Sequence, residues 1–343
     1  MKIDTFKTFL DDQSKSDKFS GAVLIMQDGK KLIEYASGFA NKEKQISNKI
    51  DTIFNLGSIN KMFTAVAICQ LVEKKKISFE DKVGKYLSYF PKEIGNTMTV
   101  HQILTHTEGF SSYFNDTYIN KLARLTSVDD YINLFKDLPP QFSPGEKYQY
   151  SNSGYIVLGA IIEKITGQSY YDYVTEYIFN PSGMSDTGSY NPHLENRPIA
   201  HGYTHRLPHS SELATGPLRD ATEELPPIGN PAGGGYSTCA DLYKFSNALL
   251  GNKLLSPDMT ALMLSPKVFI EEKNGQKLHY AYGMQILDMG KDHFRYGHGG
   301  TFAGVSARFA IYPWIKTTIV VLSNYDPPSA FTVANKCEEL IMD

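Results

Sequence analysis

An α+β fold follows from the distribution of β and helical texture along the chain. β-rich runs occupy Ser20–Ala40, helical segments punctuated by Gly and Pro fill the middle, and β texture returns from about Leu278. One antiparallel sheet formed by both chain ends, flanked by terminal helices and carrying an inserted helical lobe, satisfies all three observations. With 343 residues and 41% hydrophobic content the chain can bury a large core. It reads as one domain over 1–343, with an α/β part at about 1–57 and 267–343 and a helical lobe at about 58–266.

The elements follow in order. Residues 3–16 place Ile3, Phe6, Phe9 and Leu10 on one side of a helix. In S-G-A-V-L-I-M-Q-D-G-K-K-L-I-E-Y-A-S-G-F-A two β runs meet at Asp28-Gly29, a strong hairpin signal. An apolar helical pattern opens at Ser58. N-S-G-Y-I-V-L-G-A-I-I-E-K-I-T-G is a second helix, with Gly167 where a C-terminal cap belongs. Tyr190–Pro231 has no clean period, and a loop of that length is expected to line a site. Gly233-Gly234-Gly235 reads as a tight turn before a helix containing Asp241. The segments L-H-Y-A-Y-G-M-Q-I-L, H-F-R-Y-G, G-V-S-A-R-F-A-I-Y and T-T-I-V-V-L-S-N are strands, and Ser329–Met342 is a closing helix. Sheet and lobe leave a cleft between them, a common place for a ligand.

A formal net charge of −3 offers no basic field for nucleic acid or an acidic membrane surface. Cys69, Cys239 and Cys337 are few and far apart, and read as small buried hydrophobes. No apolar run is long enough for a membrane span. Asp4, Asp11 and Asp12 fall where a signal peptide needs its apolar stretch, so the chain as given reads as soluble and cytoplasmic; a leader removed upstream would make it extracytoplasmic. The expected partner is a small molecule or short peptide, and the oligomeric state stays open.

Three segments carry chemistry. Ser58 opens a helix, where serine is a good N-cap, and Lys61 shares its face three residues later. The neighbours Met62, Ala65, Val66 and Cys69 read as core, so Lys61 would be desolvated, its amine neutral and basic beside a hydroxyl. F-S-P-G-E-K-Y-Q-Y-S-N-S-G-Y places Tyr150-Ser151-Asn152 ahead of a helix, a pattern equally consistent with Asn152 as its cap. F-R-Y-G-H-G-G-T-F-A-G carries His298, Gly299, Gly300 and Thr301, whose glycines admit a close neighbour or make a bulge. His106 reads as structural. His201, His205 and His209 have helical spacing, but Gly202 and Pro208 interrupt it, so no metal site is expected.

S-x-x-K, Y-S-N and H-G-G in that order resemble the penicillin-recognising serine hydrolases, in particular the branch of class C β-lactamases, D-alanyl-D-alanine carboxypeptidases, esterases and D-aminopeptidases. F-N-L-G-S, I-L-T-H-T-E-G-F, P-S-G-M-S-D-T-G and P-A-G-G-G-Y-S-T-C-A-D-L fit as well, so the resemblance spans roughly residues 18–325. It implies Ser58 as the acylated nucleophile, Lys61 as its proton partner and Tyr150 as a second shuttle, able to act as phenolate between cations. It also implies that Asn152 orients the substrate, and that the Ser58 and Thr301 N–H groups form an oxyanion hole on the His298-Gly299-Gly300 strand. His298 stands where the branch usually has lysine. It is expected at the mouth of the site near the leaving group, with a weaker grip on carboxylates.

The implied activity is a cofactor-free serine acyl hydrolase acting on a small ester or amide, D-amino-acid peptides included, with weak β-lactamase activity at most. The rivals are a true class C-type β-lactamase or D,D-carboxypeptidase, and a catalytically silent binding or scaffold protein on the same fold.

Overall fold

Asp28 and Gly29 both take positive φ, 49° and 74°, the geometry of a tight hairpin turn. They join β1 (Gly21–Gln27) to β2 (Lys30–Ser37). A computed structural model describes residues 3–192 and 197–342. Six further strands complete the sheet: β3 (Val268–Lys273), β4 (Gln276–Tyr280), β5 (Gln285–Asp288), β6 (Phe294–Phe302), β7 (Val305–Tyr312) and β8 (Thr317–Ser323). Their order is β2-β1-β8-β7-β6-β5-β4-β3, antiparallel throughout. Gly21 pairs with Ser323, so both ends of the chain meet inside one sheet, as the sequence pattern requires.

Alternation along the strands divides the core in two. Val23, Ile25, Ile319 and Val321 face the terminal helices α1 (Ile3–Lys15) and α5 (Ser329–Met342), which contribute Phe6, Leu10, Val333 and Cys337. Ala22, Leu24, Val320 and Leu322 point the other way, into the core shared with the lobe. There α2 (Lys61–Glu73) is buried on every side from Lys61 to Leu71, the pattern of a central helix. Beside it runs α3 (Asn152–Thr166), closed by Gly167 at φ 71°. The helix containing Asp241, α4 (Cys239–Leu250), follows the glycine run and is capped by Thr238. All three cysteines are buried and free.

Two strand expectations need correction. β3 falls between the expected end of the lobe and the expected return of β texture. It is an edge strand, V-F-I-E-E-K, with Phe269 54% exposed and a charged end, so no buried face writes a period into it. L-H-Y-A-Y-G-M-Q-I-L is two strands, broken at Gly283, whose φ is 72°. A Cβ there would lie 2.7 Å from the Lys61 carbonyl oxygen, so this turn presses directly on the start of α2. Within Tyr190–Pro231, Tyr203–Thr204 pairs with Arg219–Asp220; residues 193–196 of that stretch lie outside the described residues. Among the described residues, no helix is long and apolar enough to cross a membrane.

Candidate active site

Ser58 sits in a 3₁₀ turn, Gly57–Asn60, that runs straight into α2. The turn is held from three sides. Asn55 Oδ1 accepts from the Gly57 N–H at 2.9 Å, the Leu56 N–H donates to the Gly235 carbonyl at 2.7 Å, and the Gly234 N–H donates to the Gly57 carbonyl at 3.2 Å. The glycine run thus braces this turn as well as leading into α4. On the remaining side lies β6. It pairs with β5 only over Phe294–Gly297, so from His298 onward that edge is open to the turn. A Cβ on Gly300 would stand 1.9 Å from the Leu56 carbonyl oxygen, and one on Gly57 would stand 2.8 Å from the Thr301 nitrogen. Only glycine lets these two backbones meet.

The expectation that Ser58 could serve as an N-cap is not met. Neither Leu56, at the start of the turn, nor Asn60, at the start of α2, has a side-chain cap, and the Ser58 hydroxyl is not spent on the helix. It faces Lys61 Nζ at 3.2 Å instead.

Lys61 is fully buried, and among the described residues no carboxylate pairs with it. Its Nζ donates to Asn152 Oδ1 and to the Ala232 carbonyl, both at 2.6 Å. Burial pushes its pKa well below the ordinary lysine value. A neutral amine has two N–H donors, which these two short bonds use, and its lone pair then points at the Ser58 hydroxyl. Ala232 was not legible in the sequence as a functional position, because any residue supplies a carbonyl. The only signal was the P-A-G-G-G run that brings the backbone close.

By residue type Asn152 could cap α3. The cap is Ser151, whose hydroxyl accepts from the Gly154 N–H at 3.1 Å, and this releases the Asn152 amide toward Lys61. The corner before α3 is positioned from behind by His106, a buried residue at φ 59°. Its Nδ1 accepts from the Ser151 N–H at 3.1 Å, and its ring lies 4.4 Å from that of Tyr150. Burial, with Lys61 and His298 nearby, holds His106 neutral, so its role is structural, as expected. Glu108 is buried beside the same corner and faces the Ser151 side chain; burial pushes its carboxyl up to about 8. A Cβ on Gly154 would come 2.6 Å from Glu108 Oε1, which explains a glycine in the first turn of α3.

Tyr150 presents one side of its ring to the cleft, 38% exposed, and turns its hydroxyl inward to Ser58. Burial raises the pKa of that hydroxyl, so Tyr150 is a phenol. The phenolate implied by the resemblance is therefore not the resting form. It needs flanking cations, and here Lys61 is shifted toward neutrality and His298 is neutral.

His298 departs furthest from expectation. It is 2% exposed and does not line the cleft. Nδ1 contacts its neighbour's carbonyl, Gly299 O, at 2.6 Å, and Nε2 meets the Tyr280 hydroxyl at 3.1 Å. A neutral ring protonated on Nδ1 satisfies both contacts, and burial together with Lys61 pushes its pKa down to about 3. His298 stays uncharged at every ordinary pH and locks β6 to β4 rather than touching a leaving group. Gly299 is backed by Phe331, and Gly300 abuts Leu56, so of the H-G-G-T segment only Thr301 reaches the cavity.

That cavity, about 260 Å³, has Ser58, Tyr150, Asn152 and Thr301 among its lining. Leu225, Pro226, Ile228 and Asn230 join them, so the long aperiodic stretch does line the site. Among the described residues no group of three His, Cys, Asp or Glu side chains converges in a way that could hold a metal. His201 meets Asp220 at 2.7 Å and is not on a helix with His205 and His209.

The chain matches the beta-lactamase family over residues 6–338. It belongs to that family. A penicillin-binding protein of Bacillus subtilis is 29% identical over 336 residues, which cover 96% of this chain and 73% of that one. The crystal structure of a penicillin-binding protein from Bacillus halodurans superposes with a TM-score of 0.86 at 31% identity, covering 98% of each chain. The octameric penicillin-binding protein homologue from Pyrococcus abyssi gives a TM-score of 0.84 at 26% identity, over 99% of this chain and 78% of that one. These likenesses make the protein a hydrolase of the penicillin-recognising superfamily. Its antiparallel sheet with an inserted helical lobe is the fold of that superfamily.

Proposed function

We propose that the protein is a serine acyl hydrolase that cleaves a small ester or amide through an acyl-enzyme on Ser58. The observation that carries this reading is the buried, acid-free Lys61 with its Nζ on the Ser58 hydroxyl. A buried lysine lacking a counter-ion costs stability, and a base aimed at a hydroxyl gives a reason to keep one.

In acylation the Ser58 Oγ–H proton passes to Lys61 Nζ as Oγ bonds to the substrate carbonyl carbon. The N–H groups of Ser58 and Thr301 receive the developing oxyanion, each such donor contributing about 3 kcal/mol. The bond to the leaving group then breaks. Tyr150, a phenol beside Ser58, hands its proton to the departing atom and is reprotonated from Lys61. In deacylation a water proton follows the same route in reverse, the water oxygen replaces Oγ, and the free acid leaves. The leaving group carries off one proton and water supplies one, so each protein group ends with the protons it began with and the cycle needs no cofactor. Asn152 keeps the Lys61 lone pair on Ser58 and offers its amide N–H groups toward the substrate. A fluorophosphonate should add one adduct mass to the protein, and Ser58→Ala should remove both the adduct and ester hydrolysis. Equal adducts on the variant in intact-mass spectra would refute the assignment of the nucleophile, and no adduct on either protein would favour the silent-scaffold rival.

A further inference from the structure

The cavity is a chamber with a rim, where Phe114 and Phe302 stand, and a floor around Ser58 and Ala232. The turn that brings Ala232 to the floor is anchored at three successive carbonyls. Asn60 Nδ2 donates to that of Asn230 at 3.2 Å, Thr64 Oγ1 to that of Pro231 at 2.7 Å, and Lys61 Nζ to that of Ala232 at 2.6 Å. The Pro231 ring sits against α3 at Gly159, where a Cβ would stand 2.2 Å from its Cγ. The segment is thus wedged between α2 and α3, but the wedge does not orient its last peptide. Ala232 offers only a methyl group and Gly233 no side chain to hold the plane between them.

That plane decides where the Lys61 acceptor points. A planar peptide aims its C=O and N–H in opposite directions, so a bond to the Gly233 N–H fixes the Ala232 carbonyl from behind. Asn230 makes that bond. Its Oδ1 accepts from the Ala232 N–H at 2.9 Å and from the Gly233 N–H at 3.1 Å, and its carbonyl shares the latter, also at 3.1 Å. Pro231 has no N–H, so both donors of the turn that follow Asn230 converge on that one residue. Asn230 is 4% exposed, and its amide end faces the Tyr113 and Tyr131 hydroxyls. We propose that Asn230 is the positioning residue of the base: its side-chain oxygen sets the Ala232–Gly233 peptide and, through the Ala232 carbonyl, the direction of the Lys61 lone pair. The proposal rests on the acyl-enzyme reading above, in which that lone pair takes the Ser58 proton.

Two substitutions separate this role from packing, with p-nitrophenyl phenylacetate as the substrate. Asn230→Ala removes the oxygen and should lower kcat about 10- to 100-fold, with KM within about threefold of wild type. Asn230→Asp keeps an acceptor for both N–H groups, which in turn hold it ionised. It should retain kcat within about fivefold of wild type on its pH plateau. Its charge is new in the surroundings of Lys61, which faces the uncharged rings of Tyr150 and Tyr155, with neutral His106 and His298 nearby. A nearby anion favours the ammonium form, so the acid limb of kcat/KM against pH should rise by about one pH unit in Asn230→Asp. The lysine signal that titrates there, followed by NMR of isotope-labelled lysine, should rise with it. Three results would each overturn the positioning role: an alanine variant within about threefold of wild type in kcat, an aspartate variant as slow as the alanine one, or an acid limb that aspartate leaves in place. Loss of turnover in Ser58→Ala would leave the nucleophile standing in all three cases, and undiminished turnover there would overturn both readings. If one Asn230 variant does not fold, the other decides by its own readout.

Discussion

The floor and the rim of the chamber are built by opposite means. On the floor, Lys61 is fixed by two bonds of 2.6 Å, and the Ser58 turn touches β6 through backbones that admit no side chain. On the rim, Phe114 and Phe302 face each other across 6.2 Å, and Phe114 is 42% exposed. The floor is over-determined: each reacting group is positioned by a partner that is itself packed. The rim side chains meet through apolar contact, so they can change without moving Lys61 or Tyr150. On the proposed mechanism chemistry and selectivity should therefore be separable, and substitutions on either side test that.

Lys61→Ala strikes the floor hardest. It should lower kcat for a neutral ester by about 10²- to 10⁴-fold, as for a positioned general base, with a far-ultraviolet spectrum unchanged. A variant within threefold of wild type would reduce Lys61 to a packing element. Gly300→Ala attacks the same floor through the backbone. Its methyl would lie 1.9 Å from the Leu56 carbonyl, so β6 must retreat from the Ser58 turn and take the Thr301 N–H with it. The expected loss is about 1–3 kcal/mol in denaturant unfolding and roughly 100-fold in kcat. An alanine tolerated without loss of either would mean that this contact does not set the oxyanion geometry.

Glu108 tests whether the corner before α3 belongs with the floor. Burial pushes its carboxyl up from 4.5 to about 8, so the folded chain holds a proton that the unfolded chain releases between those values. The associated stability is complete below pH 4.5 and drains away as pH rises to 8, on the order of a few kcal/mol in all. Glu108→Gln has no proton to lose. Its Tm relative to wild type should climb from pH 5 to pH 8.5, and parallel Tm profiles would show that the carboxyl does not titrate in that window. Phe302→Ala, on the rim, should do least. Stability should change by no more than about 1 kcal/mol and kcat should hold, while KM for the phenylacetate ester rises roughly tenfold. A large fall in kcat there would erase the distinction between floor and rim.

The legibility of the site in the sequence divides along the same line. Ser58, Lys61 and Tyr150 announce themselves by residue type and spacing. The sheet does so too, because its central strands are buried on both faces and read as continuous β-rich runs. What stayed hidden depends on contacts between distant segments. Ser151 and Asn152 are equally good caps by type, and only the reach of Lys61 across to α3 decides which one caps. The Ala232 carbonyl has no side chain to read. His298 looked like a cleft residue because its motif lies on the cleft strand. Its ring is instead engaged by Tyr280, two strands away in the sheet. Edge strand β3 had no buried face to write a period into its sequence.

The pairing of Gly21 with Ser323 has a consequence for how the molecule is made. On a ribosome the N-terminal hairpin emerges early, but its partner β8 follows only after nearly 290 residues, roughly 15–60 s of synthesis at ordinary rates. The strand edge that will lie in the middle of the sheet is open for all of that time. The lobe, whose helices are contiguous in the chain, is free to collapse first. The Ser58 turn waits with the hairpin, because β6, which packs against it, also follows far downstream. Until β8 arrives, the open edge of β1 is the surface that needs cover.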